Sequence, residues 1–547
     1  MVCGAVVIIW TFIYVPCVTS ALSPWENSDT VTTLFGNIKG FPDLNNTWVW
    51  KAIPFAAPPD RWRAPTDPPS WSGMREITEF CEACTQPQSF GQPGAIVGSE
   101  DCLYLNIWRP QSEATLLPVY VWIHGGGNSL GSAAFYVGST IAGKSNMVVV
   151  SVQYRLGPLG WFTHPSLRDN ENVFDGSGNY GTLDIIQALK WVKNNIQAFG
   201  GDPSNVTIAG ESAGGMNVLS LMISPEAGGL FHKAVSQSGL LRPFPLSVGD
   251  YYANRVLELL LVSDGTPEDR AQSVREGMSN DAIEVYIRSK SAQEIFSAAS
   301  TAQGSMMSVI QDGGFGMIVF PNIFKDGAIV HQDGARALSN PSHYNRVPII
   351  LGTNKEELKL FMAPLYSAFQ TELLYQKSTG LLSETMWKPS GVDMPAARMT
   401  ASGSPGVYAY QLNYGKYSYR ANRDGSTTPV GYNPWPTDYG DQHLNLALIL
   451  GCHHGLDIPF FFGDFHIFDQ LYELYEFPSL FREDNRSGYE ALSDAMMAYV
   501  AQFAHTGSPS GVLGLPQWTQ WSNRLCAPKR ILFDANDTEA IIKMSIR

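Results

Sequence analysis

Residues 206–221 read VTIAGESAGGMNVLSL, and this stretch decides how the rest of the chain is interpreted. The β-branched run before Gly210 predicts a buried strand, and the apolar run after Gly215 predicts a helix. Glycines flank Ser212 in a G-x-S-x-G pattern, which is typical of a tight, strained turn that lifts a hydroxyl out of a sheet. An ordinary glycine-rich loop is the alternative. The strand and helix on either side favour a nucleophile elbow with Ser212 as the attacking residue.

Short apolar runs rich in β-branched residues recur on both sides of this turn. They are mostly continuous and not alternating, which is typical of parallel strands covered on both faces. The predicted strands are 119–123, 148–154, 206–209, 234–236, 347–351 and 407–412. A helical pattern over 183–199 separates two of them, so right-handed strand–helix–strand crossovers are expected. The sequence therefore predicts an α/β fold with a mostly parallel central sheet flanked by helices.

The segment from about 250 to 311 differs from its surroundings because it has helical patterns and no strand-like run. We interpret it as a helical insertion into the sheet fold. No internal repeat, low-complexity tract or Pro/Gly/Ser-rich linker divides the chain. One catalytic domain over residues 21–547 is therefore predicted.

Composition narrows the class of protein. The chain has 547 residues, of which 44% are hydrophobic and 16% charged, which is typical of a large globular protein. The net charge of −14 and the lack of a Lys/Arg cluster argue against binding to nucleic acid. No Cys or His pair has the spacing of a zinc finger, so a metal site is not expected. An organic cofactor is not implied either.

The first twenty residues predict the compartment. Residues 2–15 are almost wholly apolar and are followed by Val18-Thr19-Ser20, a small-residue end suited to cleavage before Ala21. A signal peptide over residues 1–20 and a secreted protein are therefore predicted. No Lys or Arg precedes Lys39, so the usual positive start is missing. An uncleaved N-terminal anchor, or retention in the secretory lumen, is the alternative.

Five cysteines remain after removal of residues 1–20, and an odd number predicts at least one free thiol in an oxidising compartment. They are Cys81, Cys84, Cys102, Cys452 and Cys526. A Cys84–Cys102 bridge would stabilise the fold by roughly 3 kcal/mol, because it closes a loop of under twenty residues. Cys81 competes as a partner.

Four Asn-x-Ser/Thr sequons are candidate glycosylation sites: Asn45, Asn205, Asn485 and Asn536.

A second glycine-rich segment directly follows the predicted strand 119–123. His124 is followed by Gly125, Gly126 and Gly127, so consecutive N–H groups can point into a cavity without side chains in the way. The oxyanion of a tetrahedral intermediate needs such donors. A phosphate-binding loop is disfavoured because no Gly-Lys-Ser/Thr ending follows. The segment therefore predicts an oxyanion hole.

Several blocks of this sequence, in this order, resemble the type-B carboxylesterase/lipase family, which includes the cholinesterases. The blocks are PFAAPP at 54–59, SEDCLYLN at 99–106, YRLG at 154–157, FGGDP at 199–203 and the turn around Ser212. The resemblance extends from about residue 31 to beyond residue 516. It implies an α/β-hydrolase fold, a carboxylic-ester hydrolase that forms an acyl-serine intermediate, and a small-molecule ester as the substrate.

The resemblance also implies the remaining catalytic residues, in the chain order Ser, acid, His. GTNKEE at 352–357 is similar to the segment that carries the acid, and Glu357 matches the catalytic carboxylate, with Glu356 as its neighbour. GCHHGLDIPF at 451–460 is similar to the histidine block. His454 matches the base, and His453 is the competing residue.

The same resemblance assigns the oxyanion donors and a disulfide. Gly126, Gly127 and Ala213 match the backbone donors of the oxyanion hole. Cys102 lies in a block whose cysteine is normally bridged to an upstream one, and Cys84 is the best match for that partner.

Three positions depart from the family pattern. Asn128 follows the glycine run where an aromatic residue is usual, which indicates an altered acyl or alcohol preference. Leu358 follows the acid, and Ala52 precedes Ile53-Pro54, where glycine is usual in both cases. The Cys84–Cys102 loop contains no tryptophan that could stack on a quaternary ammonium, so specialisation for choline esters is not expected.

Two other functions are compatible with such a chain. An acyltransferase or a biosynthetic tailoring esterase would use the same acyl-enzyme with another acceptor. A non-catalytic adhesion or binding protein could share the fold, because a fold does not determine a function. Such a relative would be expected to lack part of the triad, whereas all three residue types are present here, so ester hydrolysis is favoured.

Overall fold

The structure is a computed structural model that describes residues 25–88, 94–168, 172–311, 321–416, 418–430, 446–467 and 479–546. The predicted signal peptide, residues 1–20, lies outside the described residues. Among the residues that are described, none of the helices combines the length and the apolar character needed to cross a bilayer.

The strands of the described residues are numbered in chain order. They are β1 (Thr30–Thr32), β2 (Asn37–Lys39), β3 (Phe41–Asp43), β4 (Thr47–Pro54), β5 (Met74–Glu76), β6 (Gln86–Pro87), β7 (Ile96–Val97), β8 (Tyr104–Pro110), β9 (Leu117–Ile123), β10 (Val148–Val152), β11 (Gly201–Glu211), β12 (Lys233–Gln237), β13 (Ile349–Asn354), β14 (Val407–Leu412), β15 (Tyr419–Ala421), β16 (Thr427–Pro429), β17 (Arg530–Ala535) and β18 (Ala540–Ser545).

The α-helices of the same residues are numbered likewise. They are α1 (Ser139–Ser145), α2 (Gly157–Gly160), α3 (Tyr180–Asn195), α4 (Ala213–Met222), α5 (Leu246–Ser263), α6 (Glu268–Glu276), α7 (Asn280–Arg288), α8 (Ala292–Gln311), α9 (Leu358–Met362), α10 (Glu372–Leu382), α11 (Met394–Ala401), α12 (Leu446–Ile449), α13 (Ile458–Phe462) and α14 (Arg486–Thr506). Two π-helical turns, Ser383–Trp387 and Pro389–Asp393, lie between α10 and α11.

One large sheet organises the described part of the chain. Its strand order is β18-β17-β14-β13-β12-β11-β9-β10-β8-β4-β3. Neighbours from β10 to β17 are parallel, and antiparallel pairs occur only toward the two edges. The predicted mostly parallel sheet is confirmed. The predicted helical insertion, at about 250–311, is also confirmed, because helices α5 to α8 follow one another there without an intervening strand.

Each predicted strand lies on an observed one, with differences at the ends. The run predicted at 347–351 begins as a strand only at Ile349. Pro348, directly before it, has no N–H to donate to a ladder, which favours a start after it. The run predicted at 148–154 ends as a strand at Val152.

The apolar core covers both faces of the sheet. In β9, Val121 and Ile123 pack into one buried cluster, whereas Tyr120 and Trp122 pack into the other. Successive residues of a strand point to opposite faces, so a continuous apolar run is what a strand buried on both sides requires. This burial fixes the register of the sheet and therefore the positions of the loops at its carboxyl edge, where open α/β sheets bind ligands.

Candidate active site

The turn at Ser212 has the predicted strand–turn–helix context. β11 ends at Glu211, α4 begins at Ala213, and Ser212 between them has φ 56° and ψ −120°. A non-glycine residue in this region stores about 1–3 kcal/mol of strain. Hydrogen bonds hold the turn, since the Ser212 N–H donates to the Gln237 carbonyl at 2.9 Å and the Met216 N–H donates to the Ser212 carbonyl at 2.9 Å.

The glycines of this turn are required by close backbone packing. A Cβ added at Gly214 would lie 2.0 Å from the Ile123 carbonyl oxygen, and one added at Gly210 would lie 2.6 Å from the same oxygen. Neither position has room for a side chain. The serine turn is therefore pressed directly against the end of β9, from which the second glycine segment leaves.

Glu357 is a buried carboxylate whose two oxygens have different partners. Oε1 accepts hydrogen bonds from Ser238 Oγ at 2.7 Å, Thr353 Oγ1 at 2.7 Å and the Asn354 N–H at 2.6 Å. Oε2 lies 2.6 Å from His454 Nδ1. Three donors on one oxygen hold the carboxylate in place, so the other oxygen can orient the imidazole.

The two competing residues have other partners. Glu356 Oε1 lies 2.7 Å from Lys359 Nζ, and its Oε2 accepts a hydrogen bond from the Cys452 N–H at 3.0 Å. His453 Nδ1 lies 2.7 Å from the His454 carbonyl oxygen. Burial lowers the pKa of His453 to about 4. These contacts tie Glu356 and His453 to the surrounding structure.

The imidazole of His454 is buried between aromatic rings and acids. The rings of Phe361 and Trp387 each lie 4.9 Å from it, centroid to centroid. Its Nε2 lies 3.1 Å from Glu211 Oε1, without the geometry of a hydrogen bond. Nε2 therefore has no hydrogen bond to Ser212 in this arrangement, although it contacts the residue directly before the serine. Catalytic hydrogen bonds are often incomplete before substrate binds.

Three buried carboxyl groups, Glu211, Glu357 and Asp457, lie near the imidazole, and their charges raise the pKa of His454. Burial raises the pKa of Glu211, whereas a charged imidazolium at His454 lowers it. Burial by itself would lower the pKa of His454. The negative charges of Glu211, which has the larger effect, and of Glu357 more than offset burial and raise the pKa to about 9. Charged Glu211 thus favours the imidazolium form, which cannot accept a proton.

The second glycine segment lies against the serine turn. A Cβ added at Gly125 would be 3.3 Å from Ser212 Cβ. Gly126 and Gly127 have φ values of 100° and 66°, which favour glycine. Ala213 begins α4, so its N–H has no intrahelical partner. Among the described residues, the N–H groups of Gly126, Gly127 and Ala213 donate to no other group.

Asn128 forms a buried polar wall beside this segment. It has φ 57°, a conformation that asparagine tolerates better than most residues. Its Oδ1 accepts a hydrogen bond from Asn217 Nδ2 at 2.9 Å, and its Nδ2 donates to Asn322 Oδ1 at 3.3 Å. The residue that departs from the family pattern thus forms amide contacts where an aromatic ring is usual.

Several residues of the site were not predicted from the sequence. Glu211 is part of the quoted motif, but its contact is with the imidazole of His454, which lies 243 positions later in the chain. Ser238 carries a partial signal, because it follows the end of β12 as Ser212 follows β11. Trp387 carries none, since it lies in a π-helical turn far along the chain.

A disulfide joins Cys84 and Cys102, whose Cα atoms are 5.0 Å apart. The competing Cys81 is a free thiol, 3.9 Å from Gln153 Nε2. Burial raises the pKa of Cys81 to about 11, so it stays protonated at neutral pH. Cys452 and Cys526 are also free in the structure.

The four sequon asparagines differ in their accessibility. Asn45 is exposed, and Asn205 and Asn536 are half-buried. Asn485 is fully buried, and its Nδ2 donates to the Leu480 carbonyl at 3.1 Å. The folded chain therefore offers no room for a glycan at Asn485, which makes it the least suitable of the four candidates.

A strained serine and a buried acid–imidazole pair at the carboxyl edge of a parallel sheet are typical of α/β-hydrolases. Residues 27–390 match the carboxylesterase family. The para-nitrobenzyl esterase of Bacillus subtilis (strain 168) is 30% identical over 88% of this chain and 90% of its own length. Rat (Rattus norvegicus) liver carboxylesterase 1F is 30% identical over 87% of this chain and 84% of its own. The chain belongs to the carboxylesterase family.

Solved structures agree with this assignment. A carboxylesterase of Geobacillus stearothermophilus superposes with a TM-score of 0.69 at 27% identity, covering 94% of this chain and 98% of the other. A PNB esterase superposes with a TM-score of 0.67 at 26% identity, covering 94% and 97%. The α/β-hydrolase fold is confirmed, and the protein is a serine hydrolase of carboxylic esters.

Proposed function

We propose that the chain hydrolyses small-molecule carboxylic esters through an acyl-Ser212 intermediate. His454 acts first as the base and then as the acid, and Glu357 orients its imidazole. Gly126, Gly127 and Ala213 donate their backbone N–H groups to the oxyanion. The observation that carries the proposal is the 2.6 Å contact between buried Glu357 Oε2 and His454 Nδ1.

The chemistry then follows from proton transfer. His454 Nε2 takes the proton of Ser212 as its Oγ bonds to the ester carbonyl carbon, and the carbonyl oxygen becomes an oxyanion. Collapse of this intermediate breaks the bond to the alcohol oxygen, which receives the proton from His454. Water repeats the sequence on the acyl-enzyme, releases the acid and restores Ser212. The unpaired N–H groups support the assignment of the oxyanion donors, because they can bind the developing charge without breaking an existing bond.

One small movement is part of the proposal. Nε2 lies beside Glu211 in the resting arrangement. We infer that rotation of the imidazole about its side-chain bonds moves Nε2 from Glu211 to the adjacent residue, Ser212. Substrate binding and protonation of Glu211 both favour that rotation.

We also propose that the protein is secreted after cleavage of its signal peptide. The apolar segment 2–15 with the small-residue end at 18–20 supports a cleaved signal peptide. The Cys84–Cys102 disulfide supports an oxidising compartment, where such bonds persist. N-terminal sequencing of protein secreted by a eukaryotic host should begin at Ala21, and a chain that retains residues 1–20 would contradict cleavage.

Two variants test the catalytic assignment. Ser212→Ala and Glu357→Gln should each lower kcat for p-nitrophenyl esters by about 10³-fold or more, because one loses the nucleophile and the other the orienting charge. Organophosphate treatment should add mass to the peptide that contains Ser212.

A series of p-nitrophenyl esters separates esterase, lipase and acyltransferase behaviour. The esters range from acetate to palmitate, they are measured with and without an emulsified interface, and the released acid is quantified.

Glu356→Gln is the matched control. It leaves the buried Lys359 without its carboxylate, so it should lower the free energy of unfolding by about 3–5 kcal/mol. Its kcat per active site, counted by organophosphate titration, should stay within about threefold of the wild type. The opposite ranking of Glu356→Gln and Glu357→Gln would exchange the two roles.

A further inference from the structure

A cavity of about 400 Å³ opens on the surface beside the segment that follows β12. Its lining includes four cationic side chains from three separate parts of the chain. They are Arg242, Lys325, Arg336 and Arg398. We call this cavity, lined by these four residues, the cationic pocket.

The walls of the cationic pocket are held together by hydrogen bonds. The Phe244 N–H donates to the Ile323 carbonyl, and the Lys325 N–H donates to the Phe244 carbonyl, each at 2.9 Å. These bonds join the segment after β12 to the segment before Gly334. Arg398 of α11 donates from Nη1 to the Ala335 carbonyl at 2.9 Å, which attaches the third wall. The pocket is thus a built feature of the fold.

Three of the four cationic side chains of the pocket have no partner among the described residues. In the described part of the chain, the side chains of Arg242, Lys325 and Arg336 form no ion pair and no hydrogen bond. The one acidic residue of the lining, Asp333, has His343 Nδ1 at 3.1 Å from its Oδ2. The chain as a whole carries a net charge of −14. Unpaired cations that converge on a concavity focus a positive potential there.

We propose that the cationic pocket binds the carboxylate or phosphate group of a small anionic ligand. Arginine presents its donors in a planar fork that matches such oxyanions, and two of the unpaired cations are arginines. Arg398 already uses Nη1 in the wall, so Arg242, Arg336 and Lys325 supply the contacts. An anion bound in the pocket would neutralise positive charges that no described acidic side chain pairs with.

The walls of the cationic pocket are connected by packing to the candidate active site. Trp387, whose ring contacts His454, shares an apolar cluster with Leu240, two residues before Arg242. A Cβ at Gly391 would lie 2.5 Å from the Gly239 carbonyl oxygen, so the two walls are already in contact there. Met394 of the pocket follows Trp387 by seven residues, across the second π-helical turn. The anion can therefore belong to an ester substrate or be a free metabolite.

Binding of simple anions tests the pocket without any catalysis. Citrate and inorganic phosphate are titrated calorimetrically into the wild type and into the double variant Arg242→Gln/Arg336→Gln, at an ionic strength held constant with sodium chloride. At least one of the two anions should bind the wild type, and the double variant should bind it at least about tenfold more weakly. Arg270→Gln removes an exposed charge from α6 and should leave affinity unchanged.

The proposal is wrong if the double variant binds both anions as tightly as the wild type, or if Arg270→Gln weakens binding equally. It is also wrong if neither anion binds the wild type with a Kd below about 10 mM. Both substituted arginines are exposed and unpaired, so the double variant should keep its melting temperature. If the double variant fails to fold, the single variant Arg242→Gln should also bind the anion more weakly than the wild type.

A matched ester pair distinguishes the two sources of the anion, and this arm rests on the proposed hydrolytic function. The kcat/KM ratio of mono-p-nitrophenyl suberate to p-nitrophenyl octanoate is measured in the same variants. A ratio at least about fivefold lower in the double variant assigns the pocket to an anionic substrate. An unchanged ratio with weakened citrate or phosphate binding assigns it to a free anion. Inactivity toward both esters would overturn the hydrolytic proposal and leave the binding result standing.

Discussion

At the scale of single residues, the central feature is the position of His454 between two acids. Glu357 lies 2.6 Å from Nδ1 and Glu211 lies 3.1 Å from Nε2. The two contacts have different consequences for the proposed catalysis. Both acids raise the pKa of the imidazole, but Glu357 also orients the ring, whereas Glu211 lies beside the nitrogen that Ser212 needs.

A pH profile of Glu211→Gln tests this interpretation. The Glu211 carboxylate raises the pKa of His454, and an elevated pKa keeps the base protonated, and inactive, up to a higher pH. Removing the negative charge should therefore lower that pKa and move the acidic limb of kcat/KM toward lower pH. The measurement is kcat/KM for p-nitrophenyl acetate between about pH 5 and about pH 9.5, which spans the ordinary pKa of histidine, about 6.5, and the raised pKa of His454, about 9.

The matched control for this profile is Glu356→Gln. Its carboxylate pairs with Lys359, so its removal should leave the acidic limb where it is. A limb that moves to higher pH in Glu211→Gln would contradict the role assigned to Glu211.

At the scale of single elements, the departures from the family pattern acquire physical explanations. Ala52 has φ 54° where the register between β4 and β8 shifts. A glycine would adopt this left-handed conformation without strain, which explains why glycine is usual there. Leu358 is different: its φ is not positive, and its side chain is buried in the apolar cluster with Trp387. The absence of glycine after the acid therefore carries no backbone strain.

Ala52→Gly should stabilise the protein by about 0.5–1 kcal/mol, because the strain of a left-handed alanine exceeds the entropy cost of glycine. The free energy of unfolding from urea titration is the measurement. Ala540→Gly in β18 is the control, since that residue has no positive φ, and it should destabilise by a similar amount. Two substitutions that destabilise alike would mean that no strain is stored at Ala52.

At the scale of the whole molecule, the sheet brings distant segments together at one edge. Ser212 follows β11, Ser238 follows β12 and Glu357 follows β13, and these three parallel strands are neighbours. Parallel strands end at the same edge, so this order brings the serine, the acid and its supporting hydroxyl together. His454 comes from a loop between α12 and α13. The single domain predicted over 21–547 stays a prediction.

The disulfide acts at this same scale, through the unfolded chain. It closes a loop with a sequence separation of 18. Replacing Cys84 and Cys102 together with serine should lower the free energy of unfolding by roughly 3 kcal/mol. The kcat at 25 °C should be retained, because no hydrogen bond joins Cys84 or Cys102 to Ser212, Glu357 or His454 in the described structure.

Cys526→Ser, which removes an exposed free thiol, is the control and should change neither quantity. Equal stability of the double variant and the wild type would show that the bridge contributes nothing to the fold.

The sequence by itself determined the turn at Ser212, the buried strands on either side and the helical insertion. These follow from local rules: glycine where backbone atoms approach, apolar runs where both faces are covered, and helical periodicity where one face is covered. The candidates Glu357 and His454 came from resemblance, since the residue types did not separate them from Glu356 and His453.

Only the tertiary structure decided which of these neighbours meet. Adjacent residues point in different directions, so a change of one position exchanges a contact with His454 for a contact with Lys359. The position of Glu211 and the convergence of the unpaired arginines on one pocket were decided in the same way. Each depends on packing between segments far apart in the chain, which no local pattern records.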